Sequence, residues 1–285
     1  MSLLKVTGLG KSFGGVKAVD GIHFELAAGE LLALIGPNGA GKSTTFNMVN
    51  GQLPADAGSI QLNGQELVGR KPRDIWRMGV GRTFQIAETF ASLTVVENVQ
   101  MALISNDGLL FSMWRRAADH KREEALVLLD QVGMKSQADR PCSVLAYGDV
   151  KRVELAIAMA NAPKLLLMDE PTAGMAPKER NELMALTKQL VIDRNMAVLF
   201  TEHSMDVVFA YADRMIVLAR GRLIAEGKPL ELRDHPKVQE VYFGTVPGLQ
   251  ALGLEQQFFG VVGRHGHAAS ALAAAFFSNV LPVPK

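Results

Sequence analysis

The residues best suited to chemistry form a glycine-rich loop in the first fifth of the chain. The loop satisfies the spacing G-x-x-x-x-G-K-[S/T], and its residues are Gly36, Pro37, Asn38, Gly39, Ala40, Gly41, Lys42 and Ser43. Glycines let several backbone N–H groups converge on one point, and a helix that begins near Lys42 adds its positive end. Lys42 can charge-pair with the β- and γ-phosphates of a nucleotide, Ser43 can hold Mg²⁺, and Thr44 can reach the α-phosphate. The pattern predicts a phosphate-binding loop.

Two consecutive acids follow a second apolar run and supply the other half of this chemistry. Residues 165–168 read Leu-Leu-Leu-Met, which is typical of a strand buried on both faces, and Asp169 and Glu170 come next. Ligands bind at the carboxyl ends of parallel strands. Asp169 is placed to orient Mg²⁺ through its water shell, and Glu170 to act as general base on an attacking water. Together with the loop, the two acids predict hydrolysis of a nucleoside triphosphate.

These residues require a parallel sheet, and the surrounding pattern predicts one. Apolar runs at 31–35, 165–168 and 197–201 indicate buried strands, with an amphipathic helix at 179–193. Strands that alternate with helices indicate the α/β class. Short strands are expected before residue 30, and hairpins at 59–68 and 215–225, around Asn63-Gly64 and Arg220-Gly221. Residues 88–160 change to helical periodicity and are expected to form a separate lobe.

The composition limits the classes of protein to consider. The formal net charge of the 285 residues is +1, which argues against nucleic acid as a partner, because a surface that binds phosphate backbones carries a basic excess. The single cysteine, Cys142, excludes an intramolecular disulfide. No run of about 20 apolar residues occurs, so no membrane span is expected, and the N-terminus lacks a signal-peptide pattern.

A third motif identifies a family. Its residues are Leu145, Ala146, Tyr147, Gly148 and Asp149, before a helix expected from about residue 150. Over residues 3–243 the chain resembles the nucleotide-binding subunits of ABC transporters, and this motif resembles their signature sequence. The resemblance implies a P-loop NTPase (RecA-like) core with an antiparallel β subdomain and an inserted helical subdomain. In that family, the signature of one subunit closes over ATP held by the phosphate loop of its partner. A glycine turn plus a helix N-terminus suits such a second anion site.

Other positions match the family in order. Phe13 stands where an aromatic ring stacks on adenine, Gln85 matches the glutamine that touches Mg²⁺ and the attacking water, and His203 matches the histidine at the γ-phosphate. Residues 173–176 match the loop that crosses to the partner subunit. Each residue alone would be an ordinary core or surface residue, so its role depends on order and spacing around the stronger motifs. The resemblance thus implies the cofactors ATP and Mg²⁺, with Glu170, His203 and Gln85 as catalytic residues and Ser43, Gln85 and Asp169 at the metal.

The signature departs from the family pattern at two positions. Serine is more common where Ala146 stands, and glutamine where Val150 stands. Ala146 lacks a hydroxyl that could bond the partner's γ-phosphate, and Val150 places an apolar side chain towards the nucleotide. The departures lead to the hypothesis that two different ATP-binding subunits form a heterodimer with unequal sites.

Within the family, the chain most resembles the ATP-binding subunits of branched-chain amino-acid importers. The resemblance lies in residues 84–87, 105–116, 145–149 and 173–177. It implies a subunit that binds and hydrolyses ATP to energise uptake of branched-chain amino acids or a related small polar solute. Import of urea or short amides and export of lipopolysaccharide remain alternatives. A soluble, non-transport ABC ATPase is a further one, although this chain has one cassette and no sustained heptads.

The resemblance also implies partners and a location. The partners are a second ATP-binding subunit, identical or different, integral membrane permease subunits, and indirectly a solute-binding protein. The expected location is peripheral, on the cytoplasmic face of the inner membrane. Residues 109–116, which mix apolar and basic side chains, could contact a permease helix or lipid head groups, or pack within the helical lobe. The ATP-binding domain is expected at 1–243, and residues 244–285 form a C-terminal extension of unassigned role.

Overall fold

The computed structural model describes residues 2–83, 89–106, 121–233 and 235–243. Strands make up two sheets in this part of the chain. They are β1 (Ser2–Phe13), β2 (Val16–Ala27), β3 (Leu31–Ile35), β4 (Ala57–Leu62), β5 (Gln65–Glu66), β6 (Val80–Thr83), β7 (Leu165–Asp169), β8 (Ala197–Thr201), β9 (Arg214–Ala219) and β10 (Arg222–Gly227).

Helices connect the strands and cover the larger sheet. They are α1 (Lys42–Val49), α2 (Pro72–Arg77), α3 (Val95–Asn106), α4 (Arg122–Gln131), α5 (Tyr147–Ala158), α6 (Pro177–Arg194), α7 (Met205–Tyr211), α8 (Pro229–Arg233) and α9 (Pro236–Phe243). None of these helices is long and apolar enough to cross a membrane, a finding that applies to the described residues alone.

The larger sheet has six strands in the order β10-β9-β3-β8-β7-β6. β9, β3, β8, β7 and β6 pair in parallel, and β10 joins as an antiparallel edge through a tight hairpin. Arg220 and Gly221 at that hairpin both have positive φ, as a type I′ turn requires. The order places β3, β8 and β7 side by side, so the residues that follow these three strands meet at one edge of the sheet. The predicted α/β class is confirmed.

The smaller sheet is antiparallel, with the order β2-β1-β4-β5. The expectation of short strands before residue 30 was wrong, because β1 and β2 each extend over 12 residues. Register shifts along their pairing let these strands continue through Gly8 and Gly21, both at positive φ. The hairpin predicted at Asn63-Gly64 is confirmed, and both residues have positive φ.

Two hydrophobic layers lie on opposite faces of the six-stranded sheet. Alternate residues of β3 divide between them: Leu32 and Leu34 face the antiparallel sheet and α1, whereas Leu31, Ala33 and Ile35 face helices α3 to α6. All five side chains are buried, which explains why the strand is apolar throughout rather than at every second residue. The sheet edge that carries the candidate site is therefore fixed from both sides.

Candidate functional site

The phosphate loop is held between the two sheets. Gly36, directly after β3, has φ 151°, and a Cβ there would lie 2.3 Å from the carbonyl oxygen of Leu218 on β9. Gly41 has φ 105°, and its Cβ would lie 2.5 Å from the carbonyl oxygen of Ala18 on β2. Side chains are thus excluded at both ends of the loop by backbone from two sheets. The glycines that the motif requires are explained by these close approaches.

Lys42 opens α1 and is 7% exposed. Its Nζ donates hydrogen bonds to the carbonyl oxygens of Gly36, at 2.7 Å, and Pro37, at 3.1 Å. Burial lowers the pKa of Lys42 below its usual value, and the negative charges of Glu170 and Asp169 oppose that shift. The amine is therefore held over the loop, within the field of both acids predicted at the opposite side of the site.

The two acids are organised by a threonine on the neighbouring strand. Asp169 ends β7 and pairs in register with Thr201, the last residue of β8. The Thr201 hydroxyl donates to Asp169 Oδ1 at 2.8 Å and accepts from the backbone N–H of Glu170 at 3.0 Å. Glu170 itself has φ 48°, an uncommon conformation for a residue with a side chain. One hydroxyl thus fixes both the metal-binding candidate and the general-base candidate.

His203 and Glu170 are brought together, as their assigned roles require. The His203 Nε2 atom lies 2.9 Å from Glu170 Oε1. Glu170 is partly buried and the histidine ring is more exposed, with side-chain exposures of 21% and 41%. Both side chains border the same cavity as the phosphate loop. A general base must lie within reach of the water it activates, and this arrangement places a carboxylate and an imidazole side by side at the phosphate-binding face.

The cavity has a volume of about 290 Å³. Phe13, 49% exposed, lies on its rim with Ala18. The remaining lining residues come from the loop and the acidic edge: Asn38, Gly39, Ala40, Gly41, Lys42, Ser43, Thr44, Glu170 and His203. The Lys11 ammonium lies 5.6 Å from the centroid of the Phe13 ring and forms an ion pair with Asp56. An aromatic surface, a loop of backbone donors and an acidic edge therefore surround one space.

Three residues near the acids were not singled out in the sequence. Thr201 ends β8 and Glu202 follows it, and the signal that could have found them is the change from apolar residues to Thr-Glu-His at the end of that strand. Arg82 lies on β6, where its Nη1 donates to Asn47 of α1 and to Gln52, each at 2.9 Å. Its Nη2 lies 3.6 Å from Asp169 Oδ2. Nothing in the local sequence of Arg82 indicated contacts with α1 and with β7.

Three of the five signature residues, Tyr147, Gly148 and Asp149, form the first turn of α5, and only Leu145 and Ala146 precede it. The helix begins at Tyr147, not near residue 150, because Ala146 is an extended N-cap and Val150 N–H already bonds its carbonyl oxygen at 3.0 Å. Ala146 and Tyr147 are exposed. Gly148 is buried against α6, where an added Cβ would lie 3.2 Å from the Glu179 carboxyl group. None of the signature residues lines the cavity that contains the phosphate loop.

The oxygen ligands of the site fit Mg²⁺. Asp169 and Ser43 offer a carboxylate and a hydroxyl, and Mg²⁺ is usually bound through one or two carboxylates together with substrate phosphates. Among the residues that the structure describes, no cluster of three or more His, Cys, Asp or Glu side chains could form an all-protein cage. Gln85, predicted at the metal and at the attacking water, lies outside the described residues, as do 107–120 and the extension from 244 onward.

Two families match the sequence. The ABC transporter family matches residues 19–173, and the branched-chain amino acid ATP-binding cassette transporter family matches residues 222–246. The second match begins on β10 and continues three residues beyond α9. It therefore includes residues 244–246, the first three residues of the predicted C-terminal extension.

Curated relatives and solved structures are similar over most of the chain. The high-affinity branched-chain amino acid transport ATP-binding protein LivG of Escherichia coli is 40% identical over 249 residues, covering 85% of this chain and 98% of that protein. BraF of Pseudomonas aeruginosa, which carries the same description, is 37% identical with the same coverage. The ADP conformation of MJ1267, an ATP-binding cassette of an ABC transporter, superposes with a TM-score of 0.78 at 31% identity, covering 86% of this chain and 99% of that one.

Proposed function

The chain belongs to the ABC transporter family as an ATP-binding, ATP-hydrolysing subunit, and from this premise we propose that it energises uptake of branched-chain amino acids or a related small polar solute. The observation that carries the solute class is the match of residues 222–246 to the branched-chain amino acid cassette family, a region separate from the catalytic motifs. The names of the relatives LivG and BraF agree with it.

We assign the following roles within the nucleotide site. The loop residues 36–43, with Thr44, bind the phosphates, and Lys42 charge-pairs with them, while Phe13 stacks on the adenine. Mg²⁺, when bound, neutralises charge on the transferred phosphoryl group. Ser43 and Asp169 are the residues of this chain that would hold it, together with Gln85. Support comes from the cavity that Phe13 and residues 38–44 line together, and from the Thr201 hydroxyl, which donates to Asp169.

Glu170 acts as general base and His203 positions it and the γ-phosphate. The 2.9 Å contact between the two side chains supports this pairing, because it holds the carboxylate towards the loop. The carboxylate accepts the proton of the attacking water, the oxygen attacks the γ-phosphorus, and the bond to the β-phosphate oxygen breaks. Gln85 is the third catalytic residue that the family resemblance assigns.

The site is completed by a second ATP-binding subunit, whose signature covers the nucleotide. Support comes from the placement of Leu145–Asp149 outside the cavity of their own chain. The remaining partners are permease subunits and, indirectly, a solute-binding protein, which places this subunit on the cytoplasmic face of the inner membrane. The ATP-binding domain then spans about 1–243, with 88–160 as its helical subdomain.

The test uses the complex formed with the native membrane partners. We expect permease subunits to co-purify, and proteoliposomes with the solute-binding protein to accumulate leucine, isoleucine or valine at the expense of ATP. Accumulation of urea or short amides instead would replace the solute and keep the function class. Recovery of an active ATPase without membrane partners would contradict a transport role.

Glu170→Gln tests the chemical step in the same complex. We expect ATP affinity to be retained while kcat falls roughly 100-fold to 10,000-fold, the usual contribution of a general base. Glu124→Gln is the matched control, because Glu124 is an exposed carboxylate on α4 that pairs with Lys121. Hydrolysis at the unmodified rate by the Glu170→Gln complex would refute the assignment of the base.

A further inference from the structure

Glu202 is a buried carboxylate directly after β8 and lies between the two catalytic segments. It is 4% exposed. Its Oε1 accepts hydrogen bonds from the Thr172 backbone N–H, at 3.1 Å, and from the Thr172 hydroxyl. Its Oε2 accepts from the backbone N–H groups of His203, at 2.9 Å, and Ser204, at 3.1 Å. Every one of these partners can donate, which matches an acceptor-only carboxylate.

The two oxygens serve two different segments of the chain. Thr172 lies two residues after Glu170. It directly precedes residues 173–176, which match the family's loop that crosses to the partner subunit. His203 and Ser204 lead from β8 into α7. The Glu202 carboxylate therefore links the backbone at Thr172, two residues after the general base, to the backbone at His203 and Ser204. Charge-assisted bonds of this kind are stronger than neutral ones, so the joint is stiff.

The backbone around Glu170 depends on such support. Glu170 has φ 48°, and a residue with a side chain keeps that conformation only where its surroundings fix it. The Thr201 hydroxyl accepts from Glu170 N–H on one side, and Glu202 binds Thr172 N–H on the other. The Ala173 N–H also closes a turn onto the Glu170 carbonyl oxygen at 3.1 Å. The position of the Glu170 carboxylate is thus coupled to Glu202 through this short turn.

We propose that Glu202 is a positioning residue for ATP hydrolysis. By holding Thr172 with one oxygen and His203 and Ser204 with the other, it sets the separation of the Glu170 carboxylate and the His203 ring. Glu202 does not line the nucleotide cavity, and it acts through its neighbours. The inference rests on the ATPase function proposed above.

Glu202→Gln is the sharpest variant, because it keeps the size and shape of the side chain. The amide oxygen can accept hydrogen bonds either from Thr172 or from His203 and Ser204. The amide nitrogen then faces the remaining donors, with which it cannot bond. We expect kcat of the assembled complex to fall roughly tenfold to 100-fold, as for a small misplacement of catalytic groups. ATP affinity and KM are expected to change less than about twofold, because the phosphate loop keeps its contacts.

The matched control is Glu97→Gln. Glu97 also accepts from both the backbone N–H and the hydroxyl of a threonine, Thr94, at 2.7 and 2.8 Å, but at the start of α3. Glu97 is less buried than Glu202 and takes both bonds on one oxygen, which a glutamine can retain, so we expect the smaller loss of thermal stability from Glu97→Gln and a loss of kcat from Glu202→Gln alone. Equal effects of the two variants on kcat, or a rise in KM with unchanged kcat, would show that Glu202 is merely structural.

A second pair of variants keeps the test decisive if Glu202→Gln fails to fold. Thr172→Val removes the hydroxyl that donates to Glu202, whereas Thr172→Ser retains it. We expect Thr172→Val to lower kcat severalfold and Thr172→Ser to restore it, with KM unchanged in both. Equal kcat for the two variants would overturn the inference. If the unmodified complex does not hydrolyse ATP, the proposed function fails; if it does and Glu202→Gln matches it, only the role of Glu202 fails.

Discussion

The phosphate-loop end of α1 and the signature end of α5 are both helix N-termini, but their surroundings differ. No side chain caps the first turn of either helix, so the first backbone N–H groups of both remain available to an anion. The loop before α1 is clasped by carbonyl groups of both sheets, and Lys42 is buried over it. At α5, Ala146 and Tyr147 are exposed, and Gly148 is packed against α6.

From these surroundings we infer which half of the nucleotide site each chain completes by itself. The phosphate-loop half is shaped by internal contacts, so we expect it to bind nucleotide in the isolated subunit. The signature half presents backbone donors on an exposed helix end, so we expect its contribution only when another subunit supplies the nucleotide. Substitutions at the two ends should therefore differ in the size of their effects and in their dependence on assembly.

Among substitutions that compare the two helix ends, Lys42→Ala, at the phosphate-loop end, is expected to have the largest effect. Loss of the buried charge that faces the phosphates should weaken ATP binding by about 3 kcal/mol, or roughly 100-fold. The isolated subunit suffices for the measurement, by titration with a fluorescent ATP analogue. Lys5→Ala, at an exposed ion pair on β1, is the control and should leave the affinity unchanged. Unchanged affinity in Lys42→Ala would refute the reading of the loop.

Thr201→Val comes next and tests the acidic side of the same half. It removes the hydroxyl that holds Asp169 and the Glu170 N–H, so kcat should fall roughly tenfold or more. The free energy of unfolding should fall by about 1–3 kcal/mol, because buried polar groups lose their partner. Thr187→Val is the control, since that buried hydroxyl bonds only the Leu183 carbonyl within α6. If both variants retain full kcat, Thr201 does not organise the acids.

Ala146→Ser probes the exposed end. A serine at the N-cap can accept from a first-turn N–H, so the free energy of unfolding of the isolated subunit should rise by about 1 kcal/mol. Ala176→Ser is the matched control for stability, because Ala176 is the N-cap of α6 with nearly identical backbone angles. Denaturant unfolding of both variants measures the effect. A gain in the free energy of unfolding for Ala176→Ser alone would show that a serine hydroxyl does not cap the first-turn N–H groups of α5.

The smallest effect is expected from Val150→Gln, one turn into α5. Val150 is half-buried, and a polar group there should raise ATP affinity or ATPase rate of the assembled complex about threefold, the value of one weak hydrogen bond. The isolated subunit should show no change. Val127→Gln, at an exposed valine on α4, is the control. If the complex keeps its rate and affinity, the hypothesis of two unequal sites in a heterodimer loses its support.

The parts of the fold that could be predicted from the sequence are those encoded locally. The apolar runs of β3, β7 and β8, the turns at Asn63-Gly64 and Arg220-Gly221, and the α/β class all follow from short-range pattern. The lengths of β1 and β2 could not be predicted, because register shifts between the paired strands carry them through glycines that resemble breaks. Pairing of this kind is a property of two strands together.

The residues of the candidate site likewise divide into those encoded by local motifs and those whose contacts depend on the order of the strands. The loop glycines and the acids at 169 and 170 form short motifs, so the sequence alone is enough to predict them as site residues. The contacts of Thr201 and Glu202 join residues about 30 positions apart and exist only because β8 lies beside β7. Arg82 similarly reaches α1 and Asp169 from the edge strand β6. Such residues could not be predicted, since a strand order is needed before any partner can be assigned to them.

The clasp on the phosphate loop has a consequence for folding. Because Gly36 lies against Leu218 and Gly41 against Ala18, the loop takes its shape only after residues close to both ends of the domain have docked. A nascent or partly folded chain therefore has no formed phosphate site. Nucleotide binds and stabilises only the fully docked form, by about 2.7 kcal/mol when its concentration is 100 times the Kd. We therefore expect ATP to protect from proteolysis only those molecules in which the antiparallel sheet has docked onto the loop.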